Sequence, residues 1–142
     1  MSFVPSDFDA TKWENIEPFM KELKARKLSC SSCLEKFIHD RSSLGEFISE
    51  TRAKIYIKMT CFTDDKEVQK SWMDFVENIE PKLSEYSDIL NRRIINHSSV
   101  GELPDKYSVM LQGLKTNIDS FREVNIPLKT QDTKLVTEYN EI

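Results

Sequence analysis

The sequence has 142 residues, a length that one hydrophobic core can serve and that two separate cores would divide too finely. Charged residues make up 31% and leave a formal net charge of −4; the acidic excess lies in the second half, and no basic stripe exists to neutralise a phosphate backbone, so nucleic acid is excluded as the expected partner. Apolar runs are short, which excludes a membrane span, and no signal segment follows Met1, so the expected compartment is the cytoplasm.

In chain order, Trp13, Ile16, Met20 and Leu23 form a first short helical stripe. Pro18 is harmless there only if the helix starts near Trp13 to Asn15; otherwise a kink is expected. Leu34, Phe37 and Ile38 begin a second stripe, with Leu44, Phe47 and Ile48 after it and Ile55, Tyr56 and Met59 close behind. Asp64 with Glu67 three residues on reads as a capping arrangement before Val68, Trp72, Phe75, Val76 and Ile79. Pro81 suits the first turn of a helix carrying Leu83, Tyr86, Leu90 and Ile94, and Ser98, Ser99 and Gly101 read as a loop. Pro104 suits the first turn before Tyr107, Leu111, Leu114, Ile118 and Phe121, and Thr130 could cap a last helix through Leu135, Val136 and Tyr139. Only three glycines are present, and tight hairpins depend on them, so the spacing predicts an all-α chain: an antiparallel bundle of six or seven helices forming a single domain over 1–142.

The stripe of Leu135, Tyr139 and Ile142 runs to the last residue with no stop signal. That pattern is expected of a chain that is longer in its parent protein or of a helix whose Ile142 meets a partner; a frayed terminal helix docked on the bundle is the plainer alternative.

Residue chemistry finds no active site. Cys30-Ser31-Ser32-Cys33 is the most conspicuous motif, since a C-x-x-C at a helix start can lower a thiol pKa, but the βαβ context of that chemistry is missing. Zinc would need two further ligands, and Cys61, His39 and His97 are scattered without ligand spacing, so the motif reads as two small residues flanking a serine-rich cap. His39-Asp40 offers a base with no nucleophile beside it, and His97 suits a helix C-terminus. Asp64-Asp65 and Glu77/Glu80 read as first-turn charges and a solvated face, and Trp13 and Trp72 as core anchors. H-E-x-x-H is nowhere present, the nearest string being Ile38-His39-Asp40-Arg41. No catalytic, metal-binding or cofactor-binding residue is assigned.

The order of several strings carries more. Phe3-Val-Pro-Ser-Asp-Phe-Asp9, Trp13-Glu-Asn-Ile-Glu-Pro18, Asp40-Arg41-Ser42, Tyr56-Ile-Lys-Met-Thr-Cys61 and Thr63-Asp-Asp65 are followed by Phe75-Val-Glu-Asn-Ile-Glu-Pro-Lys82, Leu90-Asn-Arg-Arg93, Phe121-Arg-Glu-Val-Asn-Ile-Pro127 and Lys134-Leu-Val-Thr-Glu-Tyr-Asn-Glu-Ile142. Together they resemble the amino-terminal region of oligoendopeptidase F-like zinc peptidases, relatives of thimet oligopeptidase. The resemblance implies an all-helical lobe forming part of the wall of a deep channel, in an enzyme that hydrolyses short peptides with a zinc held by H-E-x-x-H and a downstream glutamate. Those ligands have no matching position here, so the chain alone is expected to be inactive, with zinc belonging to a catalytic domain that would be its partner. The Cys30/Cys33 pair and Gly45 depart from the family pattern. Aromatics leaving the core stripes, such as Tyr107 or Tyr139, are candidates to face the channel. Self-association of the isolated chain is expected. The competing readings are a free-standing helical interaction module that docks a partner helix on Leu135, Tyr139 and Ile142, and, more remotely, a dithiol redox protein using Cys30 and Cys33.

Overall fold

Few glycines leave few tight turns, and the chain accordingly runs in long rods. The structure, a computed structural model, describes residues 2–140, in which five helices and no strand are found. They are α1 (Trp13–Ala25), α2 (Ser31–Cys61), α3 (66–95), α4 (Ser108–Ser120) and α5 (Asn125–Asn140), with short 3-10 turns at Val100–Glu102 and Asp105–Tyr107. No described residue has a positive φ; the corners use extended residues such as Cys30 and Asp65 instead.

The all-α class holds, but the count of six or seven does not. The stripes at Leu34–Ile38, Leu44–Ile48 and Ile55–Met59 are successive turns of one 31-residue helix, because nothing between them interrupts the backbone ladder. Pro81 takes the first-turn place expected of it, in the α-helical segment Glu80–Ile95, but that segment is not a separate helix. The α-helical segments Lys66–Asp74 and Glu80–Ile95 are joined through a π turn at Phe75–Ile79, in which the Glu80 N–H bonds back to the Phe75 carbonyl. A proline in a helix has no N–H to donate and crowds the carbonyl four residues back; the widened turn placed just before Pro81 lets the helix pass it. Pro18 is carried inside α1, which starts at Trp13; both Pro18 and Glu14, whose carbonyl loses its donor, are exposed.

Three smaller expectations shift. The cap of α3 is Asp65 rather than Asp64: its carboxylate accepts from the Glu67 and Val68 N–H groups at 3.0 and 3.3 Å. Pro104 lies just before a 3-10 turn, with the Tyr107 N–H bonding to its carbonyl, and not within the first turn of α4. Thr130 caps nothing, since α5 begins at Asn125 and the Thr130 hydroxyl donates to the Ile126 carbonyl.

The main core gathers Ile16 and Leu23 of α1, Leu34, Phe37 and Leu44 of α2, and Phe75, Leu90 and Ile94 of α3, closed by Val4 and Ala10 of the amino-terminal segment. Phe3 and Phe8 meet Phe19 edge to face, each at 5.2 Å. Met59, Trp72 and Val76 form a second, smaller cluster where α2 ends and α3 begins. Trp72 is an anchor as expected, whereas Trp13 is only half-buried and sits beside Tyr86.

The last helix is mounted the other way round from its pattern. Ile126, Thr130, Thr133 and Thr137 recur at i, i+4, i+7 and i+11 and face the body, while Leu128, Leu135 and Tyr139 face outward at 56%, 64% and 75% exposure. Three of the inward threonines spend their hydroxyl hydrogens on the carbonyls four residues back. Thr137 Oγ1 then remains free to accept the Trp72 indole N–H at 3.0 Å, a buried bond that, with Lys134–Glu77 at 2.7 Å, holds α5 against the π turn of α3. Ile142 lies outside the described residues.

Candidate functional site

Two of the strings that carry the family resemblance meet at one junction, the linker between α1 and α2. The last carbonyls of a helix need donors from elsewhere. Arg93 of α3 supplies them, giving Nη1–H to the Leu23 carbonyl at 2.6 Å and Nη2–H to the Arg26 carbonyl, with its guanidinium over the Phe37 ring. His97 Nδ1 accepts from the Ser99 N–H at 3.0 Å, so Nε2 carries the proton and donates to the Leu28 carbonyl at 2.7 Å. Arg26 itself grips Glu22 with two bonds of 2.8 Å and reaches Asp40 Oδ2 at 2.6 Å, where Lys36 adds a second donor at 2.9 Å. Asp40 is 7% exposed. Burial pushes its carboxyl upward, and the hydrogen bonds from Lys36 and Arg26 more than offset this, holding it below the usual carboxylate range. Asp40, through Oδ2, and His97, through both ring nitrogens, are therefore fasteners of a linker.

Arg41 has no hydrogen bond or ion pair with any described residue; it shares the face of α2 that carries Phe37, Leu44 and Ile48, and burial brings its guanidinium down to about 10, which still leaves it charged at neutral pH.

The remaining candidates disperse. Cys30 is the cap of α2, its Sγ accepting the Cys33 N–H at 3.2 Å, and the two cysteines are joined as a disulfide whose polar neighbours are serine hydroxyls rather than a basic side chain. Cys61 is free and exposed at the far end of the same helix. His39 is exposed, with Nε2 at 3.2 Å from the Tyr107 hydroxyl, which also donates to Glu35 at 2.8 Å. Tyr107 is itself a core residue at 8% exposure, which corrects its expectation as a channel-facing aromatic. Glu77 and Glu80 are paired with Lys134 and Arg52 rather than with each other. Among the described residues no three His, Cys, Asp or Glu side chains converge as a metal site.

What the structure does bring together is a polar stripe absent from the sequence reading. Ser84, Ser87, Asp88 and Asn91 stand at i, i+3, i+4 and i+7 along α3, beside its apolar stripe, and line a cavity of about 180 Å³ closed by Asn117 of α4 and by Phe121. A neighbouring cleft of about 380 Å³ shares Ser84 and Ser87 and continues toward Arg52, Glu80 and Lys129. The groove thus runs along α3 immediately after the π turn, between α2, α4 and the start of α5.

The model of the Peptidase M3 N-terminal domain matches residues 3–121. The chain belongs to that family. No curated protein and no solved structure gives a significant match. The matched span of this M3 N-terminal domain takes in α1 through α4 and the Arg93–His97 fastening, while α5 lies outside it. No described helix of the domain is long and apolar enough to cross a membrane. The serine–aspartate–asparagine stripe escaped sequence reading because polar residues at helical spacing have the same pattern whether they face water or a neighbouring helix; the signal that separates the cases is the position of α4, which periodicity does not give.

Proposed function

We propose that this M3 N-terminal domain is the non-catalytic helical lobe of a cytoplasmic, zinc-dependent oligoendopeptidase that acts on short peptides. The family match over residues 3–121 carries the reading. The described residues do not fit a zinc site, because no three ligand-type side chains converge, so no step through the metal is assigned to this chain. Its work in this reading is steric: it leans on a catalytic domain and walls a peptide channel, which admits unfolded chains and excludes folded ones, since those would first have to unfold. The purified chain is expected to leave a quenched fluorogenic oligopeptide uncut with or without added zinc, over a mixed library of peptide lengths; chelator-sensitive cleavage by the chain itself would overturn the reading.

The outward face of α5 favours a second reading, an interaction module that uses Leu128, Leu135 and Tyr139 on a helical partner. In the peptidase reading the catalytic domain covers that face. Either way the isolated chain is expected to self-associate at tens of micromolar, and Leu135→Asp with Tyr139→Asp to return it to monomer. Sedimentation velocity checks this, and a monomeric parent chain at that concentration would contradict it.

A further inference from the structure

Arg41 stands in the middle of the face that α2 turns to the core. Phe37 and Leu44, one turn to either side, and Ile48 beyond them are buried. A charge in such surroundings is ordinarily paired, since burial without a counter-charge is costly. Arg41 has no such partner among the described residues, and its nitrogens are not sealed off: the buried side-chain atoms left unpaired by the described fold are oxygens of Gln69, Asp88 and Asn91. What keeps the guanidinium reachable is Gly45, one turn further on. A helical side chain leans back over the turn before it, so a larger residue at 45 would cover Arg41. Nothing stands within 4 Å of the place a Cβ would take there. Arg41, Gly45, Ile48 and Arg52 follow at i, i+4, i+7 and i+11, and the same face leads to the cleft of about 380 Å³ lined by Ser49, Arg52 and Lys129. Arg52 is paired with Glu80, Lys129 makes no ion pair with a described residue, and the face is therefore net positive.

We propose that Arg41, reached through the notch at Gly45, binds a carboxylate group of a peptide. The chemistry of the place selects that anion. A guanidinium offers two parallel N–H bonds, a fork that matches the two oxygens of one carboxylate, and one charge meets one charge. A phosphate brings more oxygens and more charge than a single arginine can serve. Leu44 and Ile48 beside the notch suit the carbon arm that carries the carboxylate, and the adjoining cleft has room for the residues that follow. Both a chain end and an acidic side chain present this group. The inference stands apart from the peptidase reading, because it uses this face of α2 alone.

The test is a titration of the 15N-labelled full chain with sodium propionate at constant ionic strength, with propionamide as the uncharged probe of the same shape. Saturable shifts are expected at the Arg41 Nε–H and along 41–49, with propionamide at least about tenfold weaker. Arg41→Lys keeps the charge and loses the fork, and is expected to weaken propionate by about tenfold or more. Gly45→Leu fills the notch and is expected to abolish binding; the position is exposed and helical, and leucine favours a helix more than glycine, so folding is not at risk. Arg41→Met removes the unpaired charge and is expected to leave the urea midpoint unchanged or higher. Equal binding of the two probes, tighter binding of inorganic phosphate than of propionate, undiminished binding by Gly45→Leu, or a midpoint lowered by Arg41→Met overturns the proposal. Competition by an acetylated alanine tripeptide with a free carboxyl end assigns the site to a chain end, and competition by an acetylated, amidated tripeptide with a central glutamate assigns it to a side chain; failure of both peptides to compete also overturns it.

Discussion

Trp72→Ala is expected to lower the unfolding free energy by about 3–5 kcal/mol, the range for truncating a large buried aromatic. Trp72 is 1% exposed and is the largest of the fully buried side chains. It fills the second cluster with Met59 and Val76, meets the Tyr56 ring at 5.2 Å, and lies under the Arg52 guanidinium. Its indole N–H is also the buried tie to α5 through Thr137, 65 residues away in sequence. The variant therefore loses packing at the α2–α3 corner and the fastening of the last helix together. Thr137→Val should lose about 1–2 kcal/mol, because it leaves the buried indole N–H without an acceptor, and it should add almost nothing in the Trp72→Ala background, where that donor is gone. Urea denaturation of the four proteins checks both statements. A loss below about 1 kcal/mol for Trp72→Ala would mean that α5 and the α2–α3 corner do not pack as described.

Asp40→Ala is expected to cost about 2–3 kcal/mol at neutral pH, at or just under the range for breaking a buried ion pair, since Arg26 keeps its fork on Glu22. The pH dependence has a definite sign. The Asp40 carboxyl is held below its ordinary value in the folded chain, so its contribution is fully present above the unfolded-state value near about pH 4 and is lost as the pH falls through the lower folded-state value. The gap between the parent and Asp40→Ala should thus be constant from pH 7 to pH 5 and narrow below pH 4. A gap that widens on acidification would show that Asp40 is not the ionised partner of Arg26 and Lys36. Linker fastening has a second readout: hydrogen exchange at residues 26–30 should accelerate in the variant before global unfolding does.

Much of this fold was legible residue by residue, and the failures share a cause. Stripes such as Leu34–Phe37–Ile38 and Leu83–Tyr86–Leu90–Ile94 announce helices because a 3.6-residue period must hide one face. Where one helix stops and another starts is weaker information. Pro81 looked like a boundary and is bridged by a π turn, a solution that depends on the packing around Phe75 and Ile79 and leaves no periodic mark. The exposure of Leu135 and Tyr139 on α5 agrees with the expectation of a stripe free to meet a partner; what the pattern did not show is that the threonine face is the one that packs. The apolar pattern was read correctly, but burial goes to the face that finds partners, and Trp72 with Glu77 offers them to Thr137 and Lys134. Candidate site residues fared similarly. His97 and Asp40 serve the linker: Leu28 and Ser99 engage both ring nitrogens of His97, and Arg26 and Lys36 converge on Asp40 Oδ2. Asn91 was noticed only as part of Leu90-Asn-Arg-Arg93 and Asp88 not at all, yet with Gln69 they hold the side-chain oxygens that the described fold buries without a hydrogen-bond partner.

The family match covers an N-terminal domain alone; that this domain serves a zinc-bearing catalytic domain is our proposal. The most direct measurement is to read the coding sequence downstream of the Ile142 codon in the source genome and its transcripts. An open frame is expected, continuing in the same polypeptide and encoding H-E-x-x-H with a later glutamate. A stop codon at that point, in a transcript that carries no hydrolase sequence after it, would contradict it.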